Sequence, residues 1–360
     1  MITAGDDYPL HNDARPVRDP GTERNLYDRF FFNAYSPAAD AYVSVAFGLY
    51  PGRNIMDAAF GAIVDGVQHN VRASRLLGAD RLDTRVGPIT VRIDEPLRVL
   101  TVTVDDEPSG IAASLTFTAR GPVFEEGRYH FQPSHRTLFD YTRLTQNGSW
   151  SGSITIDGTT IDAAGWLGTR DRSWGIRPVG ERETGAPEIP AGFYWVWAPL
   201  NFGDACALFD SNEHPDGRPW HREAMWAPAG GLDGPVDRGK GSIDIDFKPG
   251  TRHARSATLH LEMPSGERSI LLTPVVEFVM QGIGYTHPTW GHGMYVGDDV
   301  RAYESWKVDE VDEQAFGNQH IQALVRAQRD DGTEGLGILE QLIFGPHQPS
   351  GFQDWFDFAG

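Results

Sequence analysis

The chain has 360 residues, 40% of them hydrophobic and 22% charged, a globular composition whose length suits two domains. Its formal charge of −19, with no basic run to offset it, would repel a phosphate backbone or an anionic membrane face, which excludes nucleic acid as an expected partner. The lone Cys206 excludes an intramolecular disulfide, and the polar first thirty residues and the lack of a bilayer-length apolar stretch read as a cytoplasmic chain without a transmembrane segment.

Residues 1–25 are polar and turn-rich and predict an extended arm on the surface. After them the pattern is that of strands, and 41 Gly and 24 Pro supply turns. MDAAFGAIVDGVQHNVRASRLL has helix formers, but Gly61, Gly66 and the run Val64, Val67, Val71 break the helical period, so two strands are expected. In GPITVRIDEPLRVLTVTVDDE, Ile89, Val91 and Ile93 alternate with polar residues, and Val102 and Val104 repeat the pattern beyond Glu95-Pro96. SITIDGTTI carries the Asp157-Gly158 hairpin signal. SIDIDF, ATLHLEMPSGERSILLTP and HIQALVRAQRDDGTEGLGILEQLIF repeat the strand and turn grammar in the second half. The best linker is PVGERETGAPEIPAG, residues 178–192, which divides the chain into an N-terminal domain of residues 26–185 and a C-terminal domain of residues 186–360. The expected class is all-β, as sandwiches or antiparallel barrels.

The polar groups that stand out follow the same order. His69 lies beside Gln68 in an apolar strand. GTRDRSWGIRP, residues 168–178, gathers Arg170, Asp171, Arg172, Trp174 and Arg177. A carboxylate among arginines should stay ionised, which favours a structural ion-pair cluster of Arg170, Arg172 and Arg177 around Asp171 over a catalytic acid or base. FYWVW places Tyr194 and Val196 on one face and Phe193, Trp195 and Trp197 on the other, an apolar wall for a polycyclic or isoprenoid ligand or a filled core. In GIGYTHPTWGHGMYVG, residues 282–297, an extended backbone would set Tyr285 and His287 side by side, with Trp290 and His292 close behind. His287 and His292 are the leading acid–base candidates, unless they bond loop carbonyls under a glycine-rich bend. No metal site is expected, because no compact histidine motif occurs. Glu340, within GLGILEQLIFG, must be paired or protonated. Since all ten tryptophans lie between Trp150 and Trp355, a cavity is expected on the C-terminal side.

D-R-S-W-G followed by Arg177, with G-x-G-Y-x-H-P-x-W-G-H-G downstream, resembles the tandem lipocalin-like proteins that include the carotenoid hydratases (hydroxyneurosporene synthase-like) and AttH-like proteins. The resemblance spans roughly residues 25–358. It implies two lipocalin-like (calycin-type) antiparallel β-barrels packed side by side, a hydrophobic cavity near their interface, and polyene-like or polycyclic small molecules as ligands. In the carotenoid hydratases the corresponding segment resembles H-D-H-N, whose Asp protonates an alkene. Asp171 takes that place here, with Arg170 and Arg172 replacing the histidines, a departure expected to make it a poor acid. Relatives of this kind also catalyse pericyclic cyclisations.

Together these readings give a cofactor-independent lyase, hydratase or isomerase acting on a terpenoid, steroid or similar apolar compound in a barrel cavity. His287 or His292 would move the proton, Tyr285 would orient an oxygen and Asp171 would fix a neighbour. Trp174, Trp195, Trp197, Trp290, Tyr194, His69 and Glu340 would surround the ligand, the tryptophans stabilising carbocation charge. The alternative is a carrier of a hydrophobic small molecule. A homodimer is left open.

Overall fold

The strand Leu26–Tyr35 (LYDRFFFNAY) has no solvent face. Phe30, Phe32 and Ala34 enter one apolar core, while Phe31 and Tyr35 enter another, which residues of both halves of the chain share. Successive side chains of a strand point to opposite faces, so such a strand belongs to a sheet covered on both sides. The computed structural model, which describes residues 2–11, 16–19, 21–133, 135–180 and 192–360, shows what covers it.

All-β architecture holds throughout the described residues, whose only helical pieces are short 3-10 turns. Thirteen strands of the N-terminal half and one from the C-terminal half form a curled 14-stranded antiparallel sheet around its own apolar core. Its central order runs Tyr42–Tyr50, Leu26–Tyr35, Trp166–Ile176, Phe139–Ile156 and Ile111–Ala119. The C-terminal half is a closed barrel of eight strands, in which Glu334–Phe344 pairs back onto Phe193–Phe202. Its interior is also filled, by Val196, Leu200, Phe209, Leu259, Ile270 and their neighbours. The third core, between the barrels, includes Phe31, Tyr42, Tyr129, Trp197, Leu208, Phe278 and Met280. The molecule is a tandem of lipocalin-like barrels, as the resemblance implies.

MDAAFGAIVDGVQHNVRASRLL is the hairpin Ile55–Val64 and Val67–Leu76. Its turn residues Asp65 and Gly66 have φ of 50° and 75°, and Asp157 and Gly158 have φ of 50° and 81°. Asp-Gly reaches this left-handed region at little cost, which matches the twist of the flanking strands.

Two features differ from the sequence-based expectations. The N-terminal arm is anchored rather than laid on the surface, with Asp7 fully buried against Arg170. The strand Val300–Lys307 leaves the C-terminal half and pairs with Val67–Leu76, becoming an edge of the N-terminal sheet. Most of the predicted linker, and with it the predicted boundary, lies outside the described residues.

Candidate active site between the barrels

A cavity of about 790 Å³ lies between the two sheets, a size that suits a small organic ligand. It is therefore neither inside a barrel nor confined to the C-terminal side, because side chains fill both barrel interiors. Leu26–Tyr35 contributes Tyr27, Arg29 and Phe31, Phe139–Ile156 contributes Tyr141 and Arg143, and Trp166–Ile176 contributes Asp171 and Ser173. The facing barrel adds Phe193, Trp195, Trp197 and Glu340, and the loop after Met280–Ile283 adds Tyr285, His287 and His292.

The period of two decides the fate of the R-D-R triplet. Arg170 and Arg172 point away from the cavity and are fully buried. Arg170 donates to the Asp7 carboxylate and, through Nε, to Gln146 Oε1 at 3.0 Å. Arg172 pairs with Asp28 at 2.7 Å. Asp171 points the other way and has no hydrogen bond or ion pair among the described residues. Burial raises its pKa above the ordinary carboxylate value, although Arg143 and Arg29 pull it back. The expectation of an Asp171 clamped by Arg170 and Arg172 is thus corrected, because sequence neighbours on a strand face opposite ways. Arg177 belongs to neither ion pair: it lines the cavity, 4.5 Å from the Tyr27 ring centre.

The backbone from Met280 to Asp299 is a 3-10 turn followed by a loop, so Tyr285 and His287 are not strand neighbours. His287 Nδ1 accepts from the Thr289 and Trp290 N–H groups at 3.1 and 2.9 Å, and its half-burial, aided by Arg72, lowers its pKa. His292 Nε2 donates to the Ile283 carbonyl at 2.9 Å, and Nδ1 lies 3.5 Å from Arg29 Nη1. Burial first, then Arg29 and Arg177, push its pKa well below the usual histidine value. His292 is therefore a neutral, doubly engaged brace, and both histidines hold the glycine-rich bend. Tyr285 packs edge-on against His292 and His320, with ring centres 4.4 and 4.5 Å apart.

Glu340 is paired. His320 Nε2 lies 2.7 Å from Oε1, Gln322 donates to Oε2 at 2.6 Å, and Trp195 Nε1 donates to Oε1 at 3.1 Å. Burial alone would raise its pKa, but these bonds outweigh it and hold the carboxylate ionised.

Four predicted ligand-binding residues lie elsewhere. Trp174 shares the Arg170 and Arg172 face and stacks on His11, with ring centres 3.8 Å apart. Tyr194, one residue out of phase with Trp195, enters the C-terminal barrel core against His347. His69 bonds Tyr303 Oη at 2.9 Å, on the far edge of the N-terminal sheet. Trp290 belongs to the turn that His287 caps and does not line the cavity.

The structure also brings in groups that the sequence reading passed over. Arg143 spans Glu126 and Asp210, and its guanidinium carbon lies 4.7 Å from the Trp195 ring centre and 5.6 Å from that of Trp197. The Tyr129 hydroxyl reaches both carboxylates, yet it has one proton to give. Glu126 is the member whose pKa rises, through burial, while His221 and the hydrogen bonds around Asp210 hold that carboxylate low against its own burial. Asp210 ends the apolar run ACALF, the same signal that drew notice to Glu340. Ligand atoms of Glu126, Asp210 and His221 lie within 4.8 Å of one another, but Arg143 already supplies the positive charge a metal ion would bring.

A guanidinium already covers the Trp195 and Trp197 rings, so this wall is not vacant for a carbocation, contrary to expectation. No helix of the described residues is long and apolar enough to cross a membrane.

Among solved structures, an AttH-like protein of Nitrosomonas europaea superposes with a TM-score of 0.55 at 13% identity, covering 93% of this chain and 98% of that one. Kievitone hydratase of Nectria haematococca gives 0.52 at 12% identity, covering 93% of each chain. These likenesses show a shared tandem-barrel fold. No curated protein matches the sequence. The model of the family described as "Family of unknown function (DUF8625)" matches residues 2–353, and the chain belongs to that family.

Proposed function

We propose that this protein is a cofactor-independent lyase, hydratase or isomerase that moves a proton on an apolar small molecule held between its barrels, with Asp171 as the acid–base group. The observation that carries this reading is Asp171 itself: a carboxyl lining the cavity, with a pKa that burial raises and no hydrogen-bonding partner among the described residues. A carrier gains nothing from such a group, whereas a proton donor needs a pKa moved toward neutrality and an open path to the ligand.

In this scheme Asp171 gives its proton to a carbon or leaving oxygen of the substrate and takes one back in the return step. Phe193, Trp195 and Trp197 hold the apolar body, and Tyr285 can donate a hydrogen bond to a substrate oxygen. His292 braces the loop instead of transferring protons, and His287 is left with Nε2 as its only uncommitted ring nitrogen. Kievitone hydratase, by its name a catalyst of hydration, shares the tandem-barrel fold, and the same class of reaction suits an unpaired acid in an aromatic cavity.

The test uses compounds that co-purify with the protein. Extracted and returned to it in D2O, they should gain deuterium or the mass of water. Asp171→Asn should bind the same compounds and lose at least about 100-fold in rate. Full exchange in that variant would refute the assignment, and no exchange with either protein would make the cavity a carrier site.

A further inference from the structure

Most buried arginines of the described residues have a carboxylate or several carbonyls as partners, Arg81 has the His11 carbonyl, and Arg29 has neither. Arg170 has Asp7, Arg172 has Asp28, Arg143 has Glu126 and Asp210, Arg72 has Glu304, and Arg252 has a set of backbone carbonyls. Arg29 is only 2% exposed, yet no carboxylate lies within ion-pair distance of it among the described residues. Its Nε and Nη2 have no hydrogen-bond partner among the described residues; Nη1 approaches His292 Nδ1 at 3.5 Å, and Tyr285, Tyr50 and Asp171 are the polar groups that act on its charge. What surrounds it instead is aromatic: the Tyr285 ring centre lies 4.7 Å away and that of Phe31 5.9 Å away.

Arg177 repeats the pattern a short way along the same cavity, with the Tyr27 ring as its contact and no acidic partner among the described residues. A guanidinium without an ion pair in a water-poor site is costly, and although Asp171 and Asp57 act on both from a distance, two such groups facing one cavity favour a negative charge in contact with them. The neighbouring donors agree in sign. Trp197 Nε1 and Asn212 Nδ2, on residues that also line the cavity, are buried N–H groups without acceptors among the described residues.

We infer that the ligand is an apolar molecule carrying an anionic or enolisable oxygen, a carboxylate, phenolate or enolate, which makes the direct ion pair that Arg29 and Arg177 do not have among the described residues. Its ring or chain lies on the aromatic wall, and its oxygen lies toward the two arginines. This rests on the reading of the cavity as a small-molecule site and names the chemistry of what enters it. A pure hydrocarbon polyene fits less well, because it would leave both guanidiniums with only the more distant Asp171 and Asp57 as counter-charge.

Pyrenebutyrate and its neutral amide, equal in shape and apolar area, serve as probes with the full-length protein. The carboxylate should bind roughly 30-fold more tightly than the amide, as expected for one charge-assisted contact in a desolvated site. Arg29→Leu should erase most of that preference, leave amide binding in place and raise Tm, because it removes a buried charge that has no ion pair among the described residues. Arg177→Gln, at a half-buried position, should reduce the preference without unfolding. Equal binding of the two probes by the unaltered protein would overturn the inference. So would an Arg29→Leu protein that loses stability together with its affinity for both probes, since that marks a purely structural arginine. Carboxylate preference with full deuterium exchange in Asp171→Asn would remove the catalytic reading and leave this one standing. No preference, with exchange lost in that variant, would do the reverse.

Discussion

The two faces of the strand Trp166–Ile176 carry charges of nearly the same composition and treat them in opposite ways. On the core side, Arg170 and Arg172 are each bound to a buried aspartate from the N-terminal segments. On the cavity side, one residue apart, Asp171 lines the cavity with no partner among the described residues. Burial is common to both faces, so burial alone does not mark function. What separates them is the ion pair: the core side matches each charge with an opposite one in direct contact, and the cavity side has no such contact among the described residues.

Breaking the closed face should have the largest effect. Asp7→Ala leaves the Arg170 guanidinium buried with only Gln146 beside it, and should cost about 3–5 kcal/mol in urea unfolding. Next in size is the coupled site behind the cavity. Asp210→Asn removes the carboxylate that stays ionised beside Arg143 and should cost roughly 2–3 kcal/mol. Glu126→Gln replaces the partner whose pKa rises, and should cost less than about 1 kcal/mol.

The open face should respond with the opposite sign. Asp171 has a folded pKa above its unfolded value, so the native state holds a proton that the unfolded chain has lost, and stability falls as pH rises through that window. Asp171→Asn should therefore raise Tm by a few degrees at pH 7, with the gain vanishing below the unfolded carboxylate pKa. A variant that melts lower at pH 7 would place Asp171 with its neighbours as a structural group. The smallest effect belongs to His69→Ala, remote from both faces, which should shift stability by no more than about 0.5 kcal/mol and leave ligand binding unchanged.

How far the sequence carried this picture depends on the range of the interactions involved. Strands with period two and Asp-Gly turns are local signals, and MDAAFGAIVDGVQHNVRASRLL could be resolved as a hairpin despite its alanines. The aromatic wall of Phe193, Trp195 and Trp197 followed from the same alternation, and the same reasoning applied to G-T-R-D-R-S-W would have turned Asp171 away from its arginines. Treating that string as one charged cluster ignored the pleat. Partners that lie far off in sequence were not legible: Asp7 for Arg170, Asp210 for Arg143, Tyr303 for His69. Nor was the departure of Val300–Lys307 to the other sheet, because an edge strand advertises only its own alternation and not the edge it will join.

That migrating strand fixes the mechanics of the loop before it. The segment bearing Tyr285, His287 and His292 starts from Gly266–Val279 in one barrel and lands on Val300–Lys307 in the other, so it hangs between them like a strap fastened at both ends. A rocking of either barrel must therefore tug on the residues that roof the cleft. A protein cut into its apparent halves would lose the roof and uncover a sheet margin at one stroke, which makes the chain one inseparable machine despite its doubled design.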